Sequence, residues 1–171
     1  QLLDIIYNVH KTNVPNNYPT NVALRKLNKH HIFVLPFSKN NGLQLDTIQD
    51  GLEELARPFK ENNKIIKRIN IAGNIYLDKG KSLLHGDYYP GSWMERKDKI
   101  FIIDPEFTFL GPKEFDLGVM TGHLILSTGE ISYLKSVCDY YPDKINNYEV
   151  ATYCGIEMIR RLIGYAQLPM Q

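Results

Sequence analysis

Cysteine is scarce in this sequence: Cys138 and Cys154 are the only two, and neither sits at metal-ligand spacing or beside a histidine. Both read as buried, reduced thiols in amphipathic stretches. No run of about 18 apolar residues occurs, and no charged-then-apolar segment opens the chain, which argues against a membrane span and a secretory leader. The cytoplasm is the expected compartment. An excess of charge is also missing, because 20 Lys+Arg stand against 19 Asp+Glu for a net charge of +1. No global field would hold such a chain on nucleic acid or an anionic membrane, so the partner expected is small and locally recognised. Internal repeats are absent, as are low-complexity tracts beyond Asn/Lys-rich turns.

What is there is an ordinary globular composition. The 171 residues, 43% hydrophobic and 23% charged, suffice to bury a substantial core. The chain opens on Gln1 inside an apolar helical pattern (Leu2, Leu3, Ile5, Ile6) and closes on Gln171 just past another helix, so a piece of a longer protein is expected.

Periodicity lays the chain out as helices, a small strand cluster, then helices. The first helix is broken between Asn13 and Thr20 by Pro15 and Pro19, and an apolar segment from Val22 to Leu35 ends at Pro36. Asp46 is placed to cap a helix carrying Ile48, Leu52, Leu55 and Phe59; a second helix starts near Asn63, and Gly80 is expected to end the pair. From Lys81 to Phe109 the period shortens to strand-like runs, Leu83-Leu84, Trp93-Met94 and Ile100 to Ile103, separated by polar loops. Helical spacing returns after Pro112, with helices near Glu130 to Tyr140 and Asn146 to Gln167 following.

Two carboxylates follow apolar runs in the strand cluster: Asp87 after Leu84 and Asp104 after Ile103. A short hairpin pairing those runs would bring both into one loop-lined cleft. Phosphoryl transfer from ATP needs a base that orients the attacking hydroxyl and, separately, hard oxygen ligands for Mg²⁺. Asp87 suits the first task, and Asp104 and Glu106, helped by Ser92, suit the second. In an extended Asp104-Pro105-Glu106 the two acidic side chains would point the same way and make a metal edge. Acidic residues after strands are often helix caps or solvated turn residues, so either motif alone is ambiguous. The ordered set, His85-Gly86-Asp87 with Ser92 and then Asp104-Pro105-Glu106 before a helix carrying Phe115-Asp116, is far more specific.

The run Leu84 to Ser92, together with Ile103-Asp104-Pro105-Glu106-Phe107, resembles the aminoglycoside phosphotransferase superfamily of small-molecule kinases, and within it the methylthioribose kinase branch. Gly111-Pro112, Phe115 to Gly118 and Ile156 to Gly164 are similar to that branch as well. The resemblance implies an α+β, mostly helical C-terminal large lobe of a protein-kinase-like fold, with a small β-hairpin cluster carrying the catalytic and metal loops. It implies ATP as co-substrate, Mg²⁺ as cofactor, a small-molecule hydroxyl acceptor that is sugar-like or aminoglycoside-like, and leaves a homodimer open. Asp87 would be the catalytic base; Ser92, Asp104 and Glu106 would lie at the metal. His85 and Asp116 would support the loop, Asp116 through backbone amides, and Arg160 and Arg161 would face the active site. Tyr88, Tyr89 and Trp93 are candidates for the acceptor pocket, although aromatics beside a loop also pack it onto helices. Tyr88-Tyr89-Pro90 and Trp93 depart from the methylthioribose pattern, which leaves the acceptor open.

The nucleotide-binding parts of such a fold do not occur before Asp46: there is no Gly-x-Gly-x-x-Gly and no Val-Ala-x-Lys strand. The expected reading is therefore the catalytic lobe alone over residues 1–171, inactive in isolation. A non-catalytic kinase-like scaffold is the competing reading, and a metal-dependent hydrolase would need more ligands than the loops offer. His30-His31 has no further zinc ligands at suitable spacing and is assigned to packing or capping, while His123 reads as a satisfied core histidine.

Overall fold

The computed structural model describes residues 1–164, and within them the protein is mostly helical with two small antiparallel strand pairs. Helix α1 (Leu2–His10) buries Ile6 and His10 and ends before the proline-bearing segment. That segment and the residue that follows it meet Thr108, just before the strand that begins at Phe109: the Tyr18 hydroxyl donates to Thr108 Oγ1 (2.8 Å) and Asn21 Nδ2 donates to the Thr108 carbonyl (2.6 Å). Helix α2 (Val22–Lys29) then continues into one π-helical turn, His30–Val34, and a 3₁₀ turn, Leu35–Phe37, which holds Pro36 in its first turn. The run of apolar residues before Pro36 is thus helical, and it buries Ile32, Phe33 and Phe37.

Helix α3 (Leu52–Glu61) starts later than its apolar spacing suggests. Ile48 lies outside it, because Leu45–Thr47 forms a separate 3₁₀ turn and Gly51, at φ 82, turns the chain into the helix. Asp46 still caps: its Oδ1 accepts from the Glu53 amide at 2.8 Å. Helix α4 (Asn63–Leu77) is capped by Asn62, whose side chain accepts from the Lys64 and Ile65 amides. Gly80 does not end that pair. The helix stops at Leu77, and Gly80 instead lies against the strand pair, where a Cβ would sit 2.0 Å from the Gly111 carbonyl oxygen.

Strand β1 (Ser82–Leu84) pairs with β4 (Phe109–Gly111), and β2 (Trp93–Arg96) pairs with β3 (Lys99–Ile102). This corrects the expected pairing of the runs that precede Asp87 and Asp104. Lys97 and Asp98 both have positive φ, as a two-residue type I′ turn requires, so β3 folds back on β2 and leaves β1 to the returning strand.

Helix α5 (Glu114–Thr128) runs through the centre, buried from Phe115 to His123, so no single apolar stripe marks it. Gly118 and Gly122 let α7 (Asn147–Ile163) approach closely: a Cβ on Gly118 would meet the Tyr153 Cβ at 2.4 Å. Aromatic residues fill the larger core, with Phe33, Tyr76, Phe109, Phe115 and Tyr153 in mutual contact between α4, α5 and α7. A second cluster joins α1, α5 and α6 (Ser132–Tyr140) through Ile6, Leu117, Met120 and Val137. Cys154 is buried and Cys138 partly so, neither in a disulfide, and burial raises both thiols above their usual range. The expected continuation of the last helix to Gln167 lies outside the described residues. Among the described residues no helix is long and apolar enough to cross a membrane.

Candidate active site

The loop after β1 is held by a carboxylate from the central helix. Asp116, with no exposed surface, accepts from the His85 amide (2.7 Å) through Oδ2 and from the Gly86 amide (3.0 Å) through Oδ1. His10 of α1 reaches Asp116 Oδ2 through Nε2 (3.2 Å), and its Nδ1 meets the Tyr141 hydroxyl (2.8 Å). Charge-assisted hydrogen bonds of this kind fix a loop more firmly than neutral ones. Gly86 turns at φ 85, and a Cβ there would fall 2.4 Å from the Phe107 carbonyl oxygen, so glycine is required twice over.

His85 ties the two acidic loops together. Its Nε2–H donates to the Ile103 carbonyl (2.9 Å), one residue before Asp104, and its Nδ1 accepts from the Asp87 amide (3.3 Å). The Ile103 amide in turn donates to the Ser92 carbonyl (3.0 Å), and Ser92 Oγ donates to the Asp87 carbonyl (2.8 Å). The two loops are therefore cross-linked by side-chain and backbone hydrogen bonds rather than by strand pairing.

Asp87 emerges from this scaffold on the wall of a cleft of about 210 Å³ shared with Asn28, His31, Ile32, Gly86, Tyr89, Phe107, Arg160 and Arg161. Burial raises its carboxyl above the ordinary range, against the opposing pull of Arg160 and Arg161. Both arginines are anchored on Glu157, one turn earlier in α7: Arg160 by two hydrogen bonds, one of 3.0 Å from its terminal nitrogen, and Arg161 by one of 2.8 Å from Nε. His123 Nε2 adds a contact to Glu157 Oε1 at 2.9 Å. Burial alone would raise the Glu157 carboxyl; Arg160, His123 and Arg161 together outweigh it and hold it at about 2. Tyr89 stacks over this group, its ring 4.9 Å from the Arg161 guanidinium and 5.2 Å from the His123 ring.

Asp104 and Glu106 lie on the second loop, both exposed. Their backbone is not extended, contrary to expectation: Asp104 adopts φ 58, ψ 56, and Pro105–Phe107 forms a 3₁₀ turn. Proline disfavours the right-handed helical region for the residue before it, and Asp is among the few residues that tolerate the left-handed one. A non-glycine residue held there is a local strain of the kind found at functional sites. Neither carboxylate takes part in an ion pair or hydrogen bond among the described residues. As hard, uncommitted oxygen donors they suit a hydrated Mg²⁺, which takes only one or two protein carboxylates. Among the described residues no three His, Cys, Asp or Glu side chains are grouped to hold a metal by themselves.

Comparison with known proteins bears on the chemistry of this arrangement. Methylthioribose kinase 1 of Oryza sativa subsp. japonica is 32% identical over 120 residues, 69% of this chain, and methylthioribose kinase of Bacillus velezensis is 31% identical over 112 residues, 63% of it. A third, from Erwinia tasmaniensis, is 36% identical over 79 residues. This chain is similar to methylthioribose kinases. The resemblance carried by the two motifs is thereby borne out. The matched stretch is 27% of the length of the rice and Bacillus enzymes, so the chain spans about a quarter of the curated relatives it matches. No family model matches the chain.

Two of the aromatic candidates lie away from this cleft. Tyr88 is fully buried in the cluster under α1, its hydroxyl donating to the Leu2 carbonyl (2.9 Å), and Trp93 packs on it at 5.4 Å; neither lines the cleft. Alternation explains this, since Tyr88 and Tyr89 point opposite ways in the extended loop and only Tyr89 faces the arginines. His123 is the satisfied core histidine expected. Sequence reasoning missed His10 and Glu157 as supports, and Asn28 and His31 as cleft residues. His10 lies 106 positions from the carboxylate it holds, and no local pattern marks such a pair.

Proposed function

We propose that this chain is the large C-terminal lobe of a protein-kinase-like small-molecule kinase that transfers the γ-phosphoryl group of ATP to a hydroxyl of a sugar-like acceptor, methylthioribose being the first candidate. The observation that carries the reading is the Asp87 carboxylate standing in a cleft, on a loop braced by Asp116 and beside two anchored arginines. The similarity to methylthioribose kinases supports it.

In this reading Asp87 accepts the hydrogen bond of the acceptor hydroxyl and orients its oxygen for in-line attack, taking the proton as the new P–O bond forms and the bond from the γ-phosphorus to the bridging oxygen breaks, with ADP as the leaving group. Burial favours that proton uptake by raising the carboxyl. Arg160 and Arg161 meet the developing negative charge at the transferring group, and their fixed attachment to Glu157 spares reorganisation during the reaction. Asp104 and Glu106 would hold Mg²⁺, which when bound neutralises phosphate charge, while Ser92, buried and donating its hydroxyl to the Asp87 carbonyl, would serve by positioning the Asp87 loop. The glycine-rich loop and lysine that clamp the nucleotide in such kinases would come from another part of the protein. The test is incubation of the full-length protein with Mg·ATP and methylthioribose, with mass detection of the phosphorylated sugar. Formation of the phosphate ester is expected, and its absence while ATP is bound would reject methylthioribose as the acceptor.

A further inference from the structure

A part of the cleft wall that the phosphoryl-transfer reading leaves without a task comes from the junction of α2 with its π-helical turn. Asn28 sits in the last turn of α2 and His31 in the π turn, three residues on, and both line the same cleft as Asp87. Residues three apart share a helix face, and a π turn inserts an extra residue that re-aims the side chains within it. Such turns recur at functional sites because they are held at a cost by the surrounding packing. Here the packing is Phe33, 1% exposed, locked against Tyr76, Phe115 and Tyr153, which keeps the turn in place.

His31 has no hydrogen bond or ion pair among the described residues; its ring meets only the His30 ring, edge-on at 5.9 Å. It is exposed, so it gives the fold little, yet it stands at the cleft. The charged groups on that cleft are already assigned: Asp87 to the reacting hydroxyl, the arginines to Glu157 and the phosphoryl group. The Asn28 amide faces the buried Tyr76 hydroxyl and, with two N–H donors and a carbonyl oxygen, keeps capacity for a ligand, while an imidazole offers hydrogen bonding at each ring nitrogen; together they match hydroxyl groups that must both give and receive. Ile32 and Phe107 supply apolar wall beside them for the C–H face of a ring. A sugar-like acceptor of the kind proposed above presents such hydroxyls beside an apolar ring face.

We infer that Asn28 and His31 are the acceptor-specificity residues of this site, hydrogen-bonding hydroxyls of a sugar-like acceptor other than the one phosphorylated. The inference rests on the kinase reading above. It assigns the α2 junction to the acceptor and not to the nucleotide.

The experiment uses the full-length protein and methylthioribose as probe, comparing wild type with Asn28→Ala and His31→Ala, and with His31→Gln as a variant that keeps an amide in place of the imidazole. Steady-state kinetics and calorimetric titration of methylthioribose are run side by side. Loss of one neutral hydrogen bond predicts a rise of about 3- to 10-fold in the acceptor KM and Kd for each alanine variant. That rise should exceed any change in kcat, the KM for ATP should stay at its wild-type value, and His31→Gln should recover part of the affinity. Wild-type turnover with unchanged acceptor KM in both alanine variants would overturn the inference and leave the kinase reading standing. A shift in the ATP KM instead would also overturn it. A wild-type protein that neither binds nor phosphorylates methylthioribose would reject the acceptor reading, and this assignment with it.

Discussion

Asp116 accepts a hydrogen bond from the Gly86 amide at 3.0 Å across 30 residues of sequence, and one carboxylate thereby sets the loop that carries Asp87. Its second oxygen serves the His85 amide and faces His10, so all three donors converge on a residue with no exposed surface. Replacing Asp116 by Asn leaves one acceptor oxygen for those donors and turns an NH₂ group toward N–H groups. A destabilisation of about 2–4 kcal/mol is expected, with activity lost along with loop order. Chemical denaturation of the variant checks it, and unchanged stability would remove Asp116 as the brace.

Gly86→Ala places a methyl group 2.4 Å from the Phe107 carbonyl in a left-handed backbone. The strain, about 1–3 kcal/mol, should appear as a lowered melting temperature together with a fall in kcat. Gly129→Ala provides the contrast, since its φ is also positive but no atom lies within 4 Å of the added Cβ. It should destabilise less and leave turnover near wild type.

Glu157 is the buried counter-charge for Arg160 and Arg161, 1% exposed. Its folded-state carboxyl is held at about 2 against a reference value of 4.5, so the folded protein releases this proton at lower pH than the unfolded chain does. Stability from this group is present above pH 4.5 and is lost as pH falls from about 4.5 to about 2, an effect on the order of 3 kcal/mol. Stability from denaturation curves should therefore fall more between pH 6 and about pH 3 in wild type than in Glu157→Gln. The variant, with both guanidinium groups left without their carboxylate, should also lose about 3–5 kcal/mol at neutral pH.

The 171-residue chain studied alone should bind ATP weakly and transfer little phosphate, because neither a Gly-x-Gly-x-x-Gly motif nor a Val-Ala-x-Lys strand occurs before Asp46. Equilibrium dialysis with ATP and an acceptor assay check this. Robust turnover by the chain alone would contradict its assignment as one lobe of the catalytic unit.

The sequence was most legible where chemistry and strand ends coincide. Asp87 lies just after the short apolar run that ends at buried Leu84, and Asp104 just after the run that forms β3, and both runs are visible in the sequence as apolar segments bounded by polar loops. Helices α4 and α7 were equally plain from spacing, and the structure adds the Asn62 and Asn146 side chains as their caps. Partner choice among short strands was not, since three- and four-residue strands carry too few cross-strand pairs to encode their neighbour, and the turn at Lys97-Asp98 decides it without a glycine. The Asp104 loop was misjudged because a residue before proline is pushed out of the right-handed helical region but has more than one alternative. Support residues such as His10 and Glu157 emerge only from tertiary contacts.

The central claim is that Asp87 is the base of a phosphoryl transfer, and the most direct test is single-turnover transfer by Asp87→Asn in the full-length protein with Mg·ATP and methylthioribose. The account predicts a fall of about 10²–10⁴-fold in the transfer rate with ATP binding and melting temperature near wild type, since the residue lies on a loop at the cleft wall. Transfer at close to the wild-type rate would contradict it.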